Sequence, residues 1–301
     1  MRMHLRSLLI TLTALLVLSS PGFSAVKLMH IVSVYLDDQQ KGIRQPEGVA
    51  CGSDARFVVA DTGNGRLVRY TFQNGTLLAG PDIKVPQLAY PVRVQIDARG
   101  NILALDERHR RIVRLSPEGV FQGYLEAAGL PASLTMIPRS FKIDENGNIY
   151  VLDISSAGVV VLNAEGKFQK IISFPDHYGF MSDLAVDFKG AVLLIDSLES
   201  VVYAAPADAK KFTPLTQSMK ETVFFPTSIT TDKKGIIYVV DQNGGDIVII
   251  GQDGSFQGRL LAMGWKEGLL RYPSQCCISK DGEFFVADRS NNRVQIYKIA
   301  D

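Results

Sequence analysis

Hydrophobic runs of five residues, each ending in an aspartate, recur along this chain: FVVAD, ILALD, IYVLD, VLLID, IYVVD and FFVAD. They end at Asp61, Asp106, Asp153, Asp196, Asp241 and Asp288, at steps of 43 to 47 residues. Fifteen residues before each aspartate stands Pro46, Pro91, Pro138, Met181, Pro226 or Pro273, so five of six equivalent places hold proline. Between these landmarks the pattern predicts four short strands per unit. A first strand follows the proline, where the missing N–H costs no ladder bond. A glycine turn such as ARGN or ENGN leads to the second strand, which ends at the aspartate. A polar loop precedes the third strand (RLVRY, RIVRL, GVVVL, DIVII, RVQIY). Another glycine turn opens the fourth, which begins with Phe-Gln at Phe121, Phe168 and Phe256. β-Branched and aromatic residues fill the runs, while Gly, Asn and Asp collect in the turns.

Six four-stranded units of this length predict an all-β fold, a six-bladed β-propeller of antiparallel blades. The sixth unit reaches only its third strand, at RVQIYKIAD. Residues 26–36 (VKLMHIVSVYL) form an unassigned strand ahead of the first unit. That strand is expected to complete the last blade and hide an edge that would otherwise recruit other chains.

The fullest units, PEGVA…FVVADTGNGRLVRY and YPSQCCISKDGEFFVADRSNNRVQIY, resemble the NHL repeat family, and the resemblance extends over the chain from residue 25. It implies the propeller fold and leaves function open, because this architecture carries binders, scaffolds and enzymes alike.

An aspartate present in every blade serves what every blade needs, so the six are read as structural brackets rather than a chemical site. Each is expected to accept N–H groups of the loop that follows it. Asn64 and Asn291 suit left-handed turn positions there, and Arg66 and Arg293 are placed to pair with nearby carboxylates.

Residues 1–24 have the pattern of a secretory signal: Arg2 and Arg6, the apolar stretch 8–18, and small Gly22 and Ser24 before a cleavage expected between Ser24 and Ala25. The protein is therefore expected to be exported, periplasmic or extracellular, with no membrane span. The formal net charge of +1 stays close to zero without the leader, which gives no global electrostatic reason to bind nucleic acid. No cofactor is expected, and the ring is complete as a monomer.

Function is sought where the units differ. The loops after the aspartates and the connections between blades share one face of the ring, and they are the long, variable ones. On that face Arg108, His109, Arg110 and Arg111 occupy one loop, with Arg93 and Arg139 just after two of the prolines. Together they suggest a basic arc for a small acidic ligand or a protein partner; the alternative is an ordinary solvated loop. Trp265, Tyr178, Phe180, Phe224, Phe225 and Tyr272 lie in the same set of connections. Aromatics make good interface anchors, although those directly before the proline position are expected to pack between blades. Glu47 and Asp183 fall near the axis, as channel-mouth ligands or as salt-bridge partners of Arg93 or Arg139.

Enzyme readings need more. A propeller similar to the peptide-amidating lyases would offer three histidines for zinc. After the leader only His30, His109 and His177 remain, and His30 falls on the outermost strand. A lactonase-like propeller would bring Glu, Asn and Asp to calcium. Glu47 has no matching asparagine after the other prolines, so neither catalytic nor metal residues are assigned. A periplasmic metal-dependent hydrolase or lyase stands as the alternative to a binding scaffold. Cys51, Cys276 and Cys277 fall on predicted innermost strands, with a Cys51 bridge to either partner open in an oxidising compartment and a vicinal bridge disfavoured by its geometry.

Overall fold

The computed structural model describes residues 26–132 and 134–300. The leader and its cleavage point lie outside the described residues. Six four-stranded antiparallel sheets form the ring. Blade one runs Gly48–Cys51, Arg56–Asp61, Arg66–Gln73 and Thr76–Ile83, from the axis outward. The innermost strands of blades two to five are Pro91–Ile96, Pro138–Ile143, Met181–Val186 and Pro226–Thr231. Blade six has Cys276–Ile278, Glu283–Asp288 and Arg293–Ala300, and its outer strand is Lys27–Val34, paired from Lys27↔Ala300 to Val34↔Val294. The closing strand is where the sequence placed it.

The core consists of six apolar layers, one at each blade–blade boundary. Val59, Val68 and Phe57 of blade one pack on Phe285 and Ile296 of blade six, while Ala60 and Leu67 face Val94 and Ala104 of blade two. Successive side chains on a strand point to opposite faces, so each central strand feeds two layers. This explains why the second strands read as unbroken apolar runs.

Three innermost strands begin at proline, and Met181 takes the same place in blade four. In these four blades the ladder to the second strand skips one residue just after that position, as between Pro91 and Arg93. A bulge there re-aims the following side chain. That side chain is Arg93, Ser140, Asp183 or Ser228.

Cys51 and Cys277 form a disulfide with Cα atoms 5.9 Å apart, and Cys276 is a buried free thiol. The bond ties the innermost strands of blades one and six, so the ring is fastened on its inside by a disulfide and on its outside by the closing strand. Burial pushes the Cys276 thiol pKa up to about 12, which keeps it protonated and inert. Changing both Cys51 and Cys277 to serine should cost about 2–4 kcal/mol, read as a lower urea midpoint under non-reducing conditions. An unchanged midpoint would mean that the seam holds without the bond.

Candidate functional site

The six aspartates are fully buried and do serve as brackets, with a wider grip than the following loop alone. Each also holds the connection that enters its own blade. Asp106 accepts N–H bonds from Ala89 and Tyr90 at 2.6 and 2.8 Å and from His109 at 2.8 Å. Asp196 takes those of Gly179, Phe180, Leu198 and Glu199. Asp153 takes Ile137 and Ser156, and Asp241 takes Phe224, Phe225 and Gly244. Asp61 and Asp288 are held by Arg44 and Arg271 N–H groups and by Arg66 and Arg293. Several donors per carboxylate offset the cost of burying its charge. Burial raises the pKa of Asp288 even so, against Asn291, the Arg271 N–H and Arg293.

The asparagine expectation needs a correction. The left-handed residues are the next ones along, Gly65 and Asn292, and their equivalents Arg110, Ala157, Ser200 and Gly245 have positive φ as well. Asn64 and Asn291 instead donate from their side chains to Asp61 and Asp288.

The brackets fix the variable-loop connections around the mouth of the axial channel, and the predicted site residues separate there. Arg93 belongs to the axis. Its Nη1 donates to the carbonyls of Val92 and Glu47, and its Nη2 reaches Thr227 O of the opposite blade at 3.4 Å. Its Nε is buried without a partner. Asp183, also at the axis, accepts Ser140 Oγ at 2.6 Å, Ser228 Oγ at 2.7 Å and Ile229 N–H at 3.1 Å. With Gln275, whose Oε1 accepts the Val49 N–H, these residues form a polar belt joining the blades. The belt occupies the second residue after the proline position in each unit, where blade one has Gly48, and that regularity could have revealed it.

Glu47 and Asp183 are not salt-bridge partners of Arg93 or Arg139. Glu47 pairs with Arg289 at 2.6 Å, and hydroxyls and an N–H satisfy Asp183. The loop arginines also divide. Arg139 donates to Met181 O and lies 3.9 Å over the Phe180 ring. Burial, then the positive charge of Arg110, lowers its pKa from the ordinary value. Arg111 turns outward over Tyr124, Arg108 is exposed, and the His109 ring meets Asp106. Among the described residues, none of these arginines has a carboxylate partner.

Of the aromatics directly before the proline positions, Phe180 and Tyr272 are at the surface, while Phe225 is half-buried and Tyr90 packs against the layer between blades two and three. Phe180 and Tyr272 are about two-fifths exposed, Phe224 is 59% exposed and Trp265 75%. Tyr178 packs edge-on against Phe174 while remaining exposed. The variable-loop face thus has basic residues from blades two and three and exposed aromatics in the connections that enter blades four to six. They meet where Arg139 covers Phe180. His30 bonds Ser33 on the closing strand, apart from His109 and His177. No group of three His, Cys, Asp or Glu residues placed to hold a metal occurs among the described residues, nor does a helix long and apolar enough to cross a membrane.

The chain resembles several solved structures in fold. Gluconolactonase from Xanthomonas campestris superposes with a TM-score of 0.68 at 14% identity, over 93% of this chain and 96% of that one. Virginiamycin B lyase from Staphylococcus aureus, solved with quinupristin, gives 0.62 at 13%, over 91% and 100%. The calcium-binding protein regucalcin from Agrobacterium tumefaciens gives 0.63 at 10%, over 91% and 95%. At such identities the likeness is one of fold. No curated protein matches the sequence. The NHL repeat profile matches residues 270–297, which contain most of the chain's own part of blade six. With that repeat set in a ring of six like blades, the chain is an NHL-repeat six-bladed β-propeller.

Proposed function

We propose that the protein is an exported scaffold that binds an acidic partner, either a protein segment or a small anionic ligand, through its variable-loop face. The junction of Arg139 with Phe180 carries this reading. It sets a half-buried guanidinium without a carboxylate partner against the partly exposed ring of Phe180. Arginine and aromatic residues together are the usual anchors of interfaces. The disulfide supports export, since such bonds persist in oxidising compartments.

Changing Arg110 to Ser and Arg139 to Gln should leave folding nearly intact and weaken binding about tenfold or more, chiefly by slowing association. The parent's binding should itself weaken with salt. Capture of partners from an envelope extract, with the parent and the variant at low and moderate salt, tests this. Identical partner sets would mean that the arginines are only a solvated rim.

A second reading, a metal-dependent hydrolase or lyase working at the axial end, is supported by the likeness in fold to a lyase and a gluconolactonase. Metal analysis of the purified protein separates the two: a stoichiometric, tightly held ion favours the enzyme.

A further inference from the structure

On the opposite face, where short glycine turns join strands within each blade, a cleft of about 240 Å³ opens between blades one and two. Its origin lies in a departure from the repeat. Eight residues after the bracket aspartate, blades three to six carry Val161, Ala204, Ile249 and Ile296, which pack against the next blade. Blade one has Arg69 there and blade two Arg114, and only in blade one does this coincide with a bulged outer strand at the same level. Val68 pairs with Asp82 and Tyr70 with Ala79, leaving Gly80 and Pro81 between them. Gly80 on one wall contributes no side chain, and on the other the turn glycine Gly100 lies under the Arg56 guanidinium.

The walls are apolar, from Val58, Leu78, Ile96 and Ile102, and Leu78 is 62% exposed. Two guanidiniums border them. Arg69 donates to Pro81 O and, across the cleft, to Pro117 O. Arg56 lies over Gly100 and pairs with Asp54. An apolar cavity with a few convergent polar groups is the usual form of a small-ligand site. This one is smaller than the roughly 300–1,000 Å³ typical of drug-sized ligands, which sets the size of the occupant.

We propose that this cleft binds a small monocarboxylate, with its alkyl or aryl body against the apolar walls and its carboxylate at the rim between Arg56 and Arg69. Charge at the rim selects a single negative charge. Asp54 already occupies Arg56, and Glu118 stands near both arginines. The Ser116 hydroxyl bond foremost, with Arg69 and Arg56 adding their charge, lowers the Glu118 pKa. Two cations facing two resident carboxylates leave no net positive charge, so a carboxylate is held by the remaining guanidinium N–H donors and a second negative charge is disfavoured.

Octanoate is the probe, titrated calorimetrically into the whole protein beside octan-1-ol and octyl phosphate. Octanoate should bind one per chain and raise the melting temperature. Octan-1-ol and octyl phosphate should each bind about tenfold or more weakly. Gly80→Leu places a side chain in the cleft from a backbone position where an added Cβ meets only ordinary contacts, 3.5 Å to Arg69 O and 3.7 Å to Arg69 Cβ. It should abolish octanoate binding while melting cooperatively. Arg69→Gln should weaken octanoate about tenfold and leave octan-1-ol unchanged. If Gly80→Leu does not fold, Arg69→Gln decides alone. Absence of octanoate binding, or binding that survives both substitutions, overturns the site. Tighter binding of octyl phosphate than of octanoate overturns the single-charge selection. The Arg110 and Arg139 variant should bind octanoate as the parent does, which keeps this test independent of the variable-loop face.

Discussion

Replacing Arg66 with leucine should destabilise the protein by about 3–5 kcal/mol at neutral pH, the range for removing one partner from a buried ion pair. Arg66 is buried and holds three carboxylates: Asp61 through Nε at 2.7 Å, and Asp37 and Asp82 through Nη1 at 2.5 and 2.9 Å. Asp61 and Asp37 are as buried as the arginine itself, so leucine would leave two charges in a dry site without their cation. The pH dependence separates this cause from lost packing. Burial pushes the Asp37 carboxyl up, but the Lys41 N–H, Arg66 and the Gln39 N–H outweigh it and hold the pKa below the ordinary value. A lowered carboxyl contributes stability that is present above its unfolded pKa, about 3.9, and is lost as pH falls through its folded value. The variant's deficit should therefore be largest at neutral pH and shrink once the carboxylates protonate, below about pH 3.9. Urea unfolding of parent and variant across this range is the measurement. An equal deficit at both ends would trace the loss to shape and sink the charge account.

Deleting residues 25–36 should have a larger effect still, converting the protein to aggregating or unfolded chains. The deletion strips the partner from Arg293–Ala300 along its whole length, exposing a long β edge that invites pairing with other molecules. It also uncovers the apolar layer to which Val34 contributes. Size-exclusion chromatography and thermal melting of the deletion variant give the result. A monomer as soluble and heat-stable as the parent would show that the closing strand is dispensable.

The blades were legible in the sequence because their signals repeat. A proline, a bracket aspartate and glycine turns at constant spacing identify each strand without knowledge of its neighbours. The closing strand followed by elimination, since one blade lacked a strand and one strand lacked a blade. Contacts between blades were harder to read. Nothing in the local pattern says that Arg289 rather than Arg93 takes Glu47, or that Arg93 spans the axis to Thr227. Those partners are set by ring curvature and by bulges that re-aim one side chain. Asn64 and Asn291 were misplaced by one residue because asparagine suits both a left-handed turn and a carboxylate, and the second use prevailed. The cleft was hidden for a different reason. It arises where an outer-strand bulge leaves Gly80 without a side chain beside Arg69, a coincidence that no single strand pattern announces.

The pairing of Lys27 with Ala300 also has a consequence for how the chain comes to be folded. A ribosome delivers the strand Lys27–Val34 before any blade exists and its partner only after the other five blades have been made. Throughout that interval the early strand, with Leu28, Ile31 and Val32 along it, has no edge to join. It is a sticky segment kept waiting by the order of synthesis, the condition under which nascent chains pair wrongly or need a holding chaperone. Blades one to five can form vectorially as they emerge, but the sixth cannot.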